Sequence, residues 1–132
     1  MIFIDSSALV AMIADEPDAA ALAAKIQVED ARISAGHVIV EASLRLATVL
    51  GLAPTAADSL VTNLLREAGV VIVPSTEEVA HAAVAAFERY GQGRGKTRLN
   101  FGDCVTYACA RLHGARLLFK GEDFAQTDVV RA

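Results

Sequence analysis

The chain has 132 residues, is 54% hydrophobic and carries a formal net charge of -4. That length suits one domain over residues 1–132, with core enough to need no disulfide stapling. The negative balance excludes a bulk basic field, so any contact with nucleic acid must use a local patch. Cys104 and Cys109 have neither scaffold nor zinc-ligand spacing and fit core thiols in a reducing cytosol. No basic amino-terminal region precedes a long apolar run, and no stretch approaches the roughly 20 apolar residues of a membrane span. A cytoplasmic protein without a membrane partner is expected, and Met1 followed at once by a strand suggests an untrimmed product.

In chain order, Ile2 to Ile4 is a short, continuously apolar strand. Ser6 or Ser7 can cap a helix beginning at Ala8, which the cluster Asp15-Glu16-Pro17-Asp18 breaks. Pro17 suits the first turn of a second helix, through about Glu29. Arg32 to Ala35 is a strand, and a helix from about His37 to Leu50 stops at Gly51. Thr55 with Asp58 forms the start of another helix, which Gly69 ends. Val70 to Val73, β-branched throughout, predicts a buried strand. Ser75 and Glu78 have capping-box spacing ahead of a helix through Tyr90. Gly91 to Arg98 is a glycine-rich loop carrying Arg94, Lys96 and Arg98. A helix follows over Asn100 to His113, then a strand over Arg116 to Phe119, a turn over Gly121 to Phe124, and a last strand near Asp128 to Val130. Strands alternating with helices predict an α/β fold with a central parallel sheet covered on both faces.

Four acids interrupt this pattern. Asp5 closes the run Met1-Ile2-Phe3-Ile4, Glu41 interrupts Val38-Ile39-Val40, Asp103 enters a helix of small and apolar residues, and Asp123 lies just beyond Leu117-Leu118-Phe119. A buried carboxylate is costly unless paired or bound to a metal, and like charges resist joint ionisation. In open parallel sheets ligands gather beyond the carboxyl ends of the strands, where these acids can converge. A divalent cation relieves such a cluster, and oxygen ligands suit Mg²⁺ or Mn²⁺. The matching chemistry is hydrolysis of a phosphodiester by activated water. Each acid also has a plainer use: Asp5 as a helix cap, Glu41 paired with Arg45 one turn on, Asp103 as the capping acid of Asn100, and Asp123 as a turn acid beside Gly121.

The segments Ile4-Asp5-Ser6-Ser7-Ala8-Leu9, Val40-Glu41-Ala42, Asn100-Phe101-Gly102-Asp103-Cys104 and Lys120-Gly121-Glu122-Asp123-Phe124 resemble the PIN-domain family. Within it they look like the VapC branch, the ribonuclease toxins of bacterial toxin–antitoxin pairs. The resemblance covers essentially the whole chain in order. It implies a three-layer α/β/α sandwich and an acidic pocket for Mg²⁺ or Mn²⁺, with Asp5, Glu41, Asp103 and Asp123 as metal ligands and catalytic groups. Ser6 matches a position carrying Thr or Ser near the metal, and Asp128 matches a supporting position. The resemblance further implies a metal-dependent endoribonuclease acting as a growth-inhibiting toxin, held in check by a VapB-like antitoxin. A homodimer is implied too, with DNA reached only through the antitoxin.

Arg94, Lys96 and Arg98 offer a phosphate patch for RNA, and Arg45 is placed to touch phosphate or neutralise the acids. Met12, Ile13, Ile26 and Leu46 are candidates for a groove that takes an antitoxin helix. Leu60, Leu64 and Phe87 are candidates for a dimer face. Two other enzyme classes fit less well. A dehalogenase-like phosphatase wants a second aspartate where Ser7 stands, and a receiver domain wants an acid pair and a mid-chain phosphoacceptor. The non-enzymatic alternative is a catalytically weak PIN-like module that only binds RNA.

Overall fold

The computed structural model describes residues 1–132. Its elements, in chain order, are β1 (Ile2–Ile4), α1 (Ser6–Ile13), α2 (Ala19–Gln27), β2 (Arg32–Ala35), α3 (Gly36–Leu50), α4 (Pro54–Glu67), β3 (Val71–Val73), α5 (Glu77–Tyr90), α6 (Phe101–Leu112) and β4 (Arg116–Leu118). The four strands form one all-parallel sheet in the order β3-β2-β1-β4. Phe3 sits opposite Ile33 on one side and Leu117 on the other. Strand β1 therefore has neighbours on both edges, and Ile2, Phe3 and Ile4 are fully buried. Helices cover both faces, giving a three-layer α/β/α sandwich. No single helix is long and apolar enough to cross a membrane.

Parallel strands end at the same edge of the sheet, and that edge carries the site. Ladder hydrogen bonding continues one residue past β1, where the Asp5 amide donates to the Leu118 carbonyl at 3.0 Å. The buried Ser34 hydroxyl donates to the Ile4 carbonyl at 2.9 Å, so the polar group in β2 is satisfied inside the sheet. Helix α3 leaves β2 without a linker and ends at Gly51, whose φ of 65° is the left-handed turn expected of a helix-terminating glycine.

Several local expectations shift. Asp5, not Ser6 or Ser7, caps α1, because its extended backbone turns the carboxylate onto the Ser7 amide. Pro17 lies ahead of α2, which starts after Asp18; that carboxylate makes no cap bond and pairs instead with Lys120. Helix α4 opens at Pro54 with no side-chain cap, and Asp58 accepts only a long bond from Thr62. The cap of α5 is Thr76 rather than Ser75. Strand β3 is not a buried strand: it is an outer edge, with Val71 62% and Ile72 42% exposed and only Val73 covered. The expected strand at Asp128 to Val130 reduces to a single parallel bridge between Leu117 and Arg131.

Candidate active site

Asp5 is the most enclosed acid, 4% exposed at the end of the central strand. Its Oδ2 accepts from the Ser7 amide at 3.0 Å and from the Ser7 hydroxyl at 2.6 Å. Having given its proton to Asp5, that hydroxyl accepts from the Lys120 amide at 3.0 Å. Ser7 thus ties the start of α1 to the chain leaving β4. Burial raises the Asp5 pKa, and the donors on Ser7, Ser6 and Thr106 pull it back toward the ionised form.

Glu41 lies on the second turn of α3. Its pKa is pushed up to about 7, first by burial and then by the charges of Asp5 and Asp103. Asp103 is the third residue of α6 and completes a capping box: it accepts from the Asn100 amide at 3.1 Å, and Asn100 accepts from the Asp103 amide at 2.9 Å. Its pKa rises to about 6, with burial the main cause and the charges of Asp5 and Asp123 adding to it; the Asn100 amide opposes them. Capping and pocket roles coexist in this residue. No ion pair joins Glu41 to Arg45, which leaves the plainer reading of Glu41 without support.

Asp5, Glu41, Asp103 and Asp123 all line one cavity of about 520 Å³. Ser6 and Arg45 line it too, as do Ser7, Asn100, Glu16 and Lys120. The Lys120 ammonium pairs with Asp18 at 3.1 Å and with Glu16 at 3.4 Å, on the cavity wall. The sequence reading missed Lys120, Glu16 and Gly102. Lys120 had a usable signal, since it follows the apolar run of β4 much as Asp5 follows that of β1. Gly102 had none, because its importance is the 2.5 Å that would separate an added β-carbon from the Glu41 carboxyl.

Other expected residues lie elsewhere. Asp128 is absent from the cavity lining; it accepts from the Tyr107 hydroxyl and pairs with Arg89 at 3.4 Å and Arg111 at 3.9 Å. Arg94, Lys96 and Arg98 are exposed and also outside the lining. Their loop is held by bridges between Gly91 and Leu99 and between Arg94 and Thr97, and it runs directly into the Asn100 cap.

The donor set fits a hard divalent cation: four carboxylates on one cavity, two of them with pKa values raised partly by their neighbours' charge. No three acidic, His or Cys side chains are yet drawn together as a coordination sphere. Like charges on one cavity resist joint ionisation, and a cation would relieve that cost.

A second cavity of about 280 Å³ lies between α1, α2 and α4, lined by Met12, Ala23, Ile26, Leu64 and Ala68 among others. Two expected groove residues belong to it. Leu46 does not, being fully buried in the core, and neither does Ile13. Leu60 and Phe87 are partly exposed on α4 and α5.

Comparison with known proteins places the chain in context. The model of the PIN domain family matches residues 2–130. Ribonuclease VapC30 of Mycobacterium tuberculosis is 40% identical over 126 residues, covering 96% of this chain and 94% of that protein. Ribonuclease VapC of Mycolicibacterium smegmatis is 39% identical over 126 residues, covering 96% of this chain and 95% of that one. Among solved structures, Mycobacterium tuberculosis VapC20, a sarcin-ricin loop cleaving toxin, superposes with a TM-score of 0.80 at 18% identity, over 100% of this chain and 98% of the other. A toxin-antitoxin complex from Klebsiella pneumoniae contains a chain that matches with a TM-score of 0.72 at 16% identity, over 100% of this chain and 97% of its own. These two similarities bear on the fold.

Proposed function

The chain belongs to the PIN-domain family, and from that membership we propose that it is an endoribonuclease toxin of a toxin–antitoxin system, cleaving RNA phosphodiester bonds with Mg²⁺ or Mn²⁺. The observation that carries the chemistry is the convergence of Asp5, Glu41, Asp103 and Asp123 on one cavity at the carboxyl edge of the sheet. VapC ribonucleases among its relatives support the activity.

Asp5, Glu41 and Asp103 would hold the cation, with Asp123 and Ser6 at the more open side. The bound cation supplies Lewis-acid activation of water and charge neutralisation at the phosphate. The protein's own contribution is positional. Ser7 fixes Asp5 through two bonds to one oxygen, and Asn100 fixes the Asp103 carboxylate. With its pKa raised to about 7, Glu41 holds a proton part of the time near neutral pH, and it would have to give that proton up to serve as a ligand. Arg45 at the cavity and Arg94, Lys96 and Arg98 nearby in the chain are the cations that would hold RNA phosphates.

A module that merely binds RNA is the weaker reading. Four carboxylates in a cavity repel phosphate unless a cation lies between them. The phosphatase reading loses ground because Ser7, at the position of the required second acid, is engaged by Asp5 and Lys120.

The partner is a VapB-like antitoxin, whose apolar helix would use the cavity at Met12, Ile26 and Leu64. A homodimer through α4 and α5, and a cytoplasmic site of action, complete the proposal. The deciding experiment is cleavage of purified cellular RNA by wild type and Glu41→Gln, each with Mg²⁺, with Mn²⁺ and with chelator. Metal-dependent scission lost in the variant is expected. Equal cleavage by both proteins would remove the acidic cavity from the reaction.

A further inference from the structure

A second layer of polar residues, His37 and Thr106, lies behind the acids. His37 stands one turn before Glu41 on α3, and Thr106 stands one turn after Asp103 on α6. His37 Nε2 and Thr106 Oγ1 are 2.8 Å apart, so one bond joins the two helices that carry two of the acids. Thr106 is fully buried, and its hydroxyl is one of the groups that pull the Asp5 pKa down. The His37 ring stacks on Phe3, with centroids 6.5 Å apart and planes 22° apart, which fixes its plane against the central strand.

The proton count gives this chain a direction. His37 Nδ1 is buried and has no partner. A proton there would be an orphaned donor, whereas a bare lone pair is less costly. The proton therefore belongs on Nε2, which donates to Thr106. Thr106 has one proton, and with its oxygen already accepting, that proton is free to go to Asp5.

We propose that His37 is a positioning residue for the phosphodiester-cleaving site: its Nε2–H donates to Thr106, and that bond sets the separation of Glu41 from Asp103 and aims the Thr106 hydroxyl at Asp5. The role rests on the ribonuclease reading above. Burial lowers the His37 pKa to about 4, so the ring is neutral at physiological pH, as a directed chain requires. On the neighbouring turn Gly102 leaves room for the Glu41 carboxyl, which an added β-carbon would meet at 2.5 Å.

Three measurements on the full chain test this. Long-range proton–nitrogen NMR of metal-free wild type at neutral pH should show a neutral His37 ring protonated on Nε2, and Thr106→Val should shift that nitrogen. A proton on Nδ1 overturns the proposal. Mn²⁺ titration followed by electron paramagnetic resonance should show affinity about 10-fold weaker in His37→Phe and in Thr106→Val, the size usual for groups that orient metal ligands. His37→Gln, which returns an N–H near Nε2, should restore most of it. Unchanged affinity in His37→Phe, no rescue by Gln, or no Mn²⁺ binding by wild type each counts against the role. RNA cleavage should lose kcat about 10-fold with KM steady in each single variant, and the double variant should be no worse than either. Losses that multiply would show that His37 does not act through Thr106. If wild type cuts no RNA, the ribonuclease reading fails on its own, while nitrogen shifts and Mn²⁺ affinity still decide whether His37 positions the acids.

Discussion

Gly102 and Glu41 are fitted to each other so closely that a β-carbon at position 102 would lie 2.5 Å from the carboxyl carbon and both carboxyl oxygens of Glu41. The obstructing atoms are the free end of a side chain, so the fold can accept a methyl group there by swinging Glu41 aside. Gly102→Ala should therefore melt within a few degrees of wild type, helped by the better helix propensity of alanine. Cleavage should fall about 100-fold, the scale of a displacement near 1 Å in a reacting group. Undiminished turnover by a well-folded Gly102→Ala protein would show that Glu41 need not occupy its observed place.

The raised acids make stability depend on pH in the metal-free protein. Glu41 at about 7 and Asp103 at about 6 bind protons more tightly folded than unfolded, where ordinary values of 4.5 and 3.8 apply. Their stabilising contribution is complete below those ordinary values and is lost as pH rises through the folded ones. Melting temperature in chelator should thus decline between about pH 4.5 and pH 7.5, as far as this pair is concerned. Glu41→Gln, which cannot ionise, should flatten that slope. A slope identical to wild type would assign the effect to other groups.

Divalent metal should reverse the penalty. At Mn²⁺ or Mg²⁺ concentrations near 100 times Kd, native-state binding adds about 2.7 kcal/mol. Thermal melts at pH 7.5 should rise with metal in wild type and respond weakly in Asp5→Asn. Superimposable wild-type curves with chelator and with millimolar metal would contradict a shared cation site.

The loop from Gly91 to Arg98 gives a prediction in salt. Its three cations are exposed and stand outside the acidic cavity. Replacing Arg94, Lys96 and Arg98 with glutamine should leave Mn²⁺ affinity intact and weaken RNA binding. If all three meet phosphates of single-stranded RNA, the plot of log affinity against log salt should lose about 2 units of slope. A direct titration with wild-type slope would mean that RNA does not cross this loop.

Much of the architecture was legible because it depends on local pattern. The run Ile2-Phe3-Ile4 has no polar alternation and so must be covered on both faces, and the parallel-sheet rule then puts Asp5 at the ligand-bearing edge. The edge position of β3 was not legible: Val71 and Ile72 have the composition of a central strand, and only the pairing order reveals that one side lacks a neighbour. The cap of α1 was misread because three consecutive polar residues can each fill it and only the backbone angles at Asp5 decide. Lys120 with Asp18, and Asp128 with Arg89 and Tyr107, join residues far apart in sequence. No spacing rule anticipates such pairs. Of the four acids, Asp5 is the one whose burial the apolar run before it foretold, because charge placed at the end of a covered strand is costly to leave uncompensated.

Two of the acids begin helices as well as line the cavity, Asp5 for α1 and Asp103 for α6, whereas Glu41 supports no local structure. Loss of a cap costs about 1 kcal/mol before any chemistry is counted. This division shapes how such a toxin would decay once selection for its activity relaxes. Substitutions at positions 5 and 103 that remove the side-chain acceptor would also weaken a helix start, while those at 41 would silence the enzyme and leave a well-formed protein still able to titrate its antitoxin. Disarmed descendants are therefore expected to differ first at Glu41.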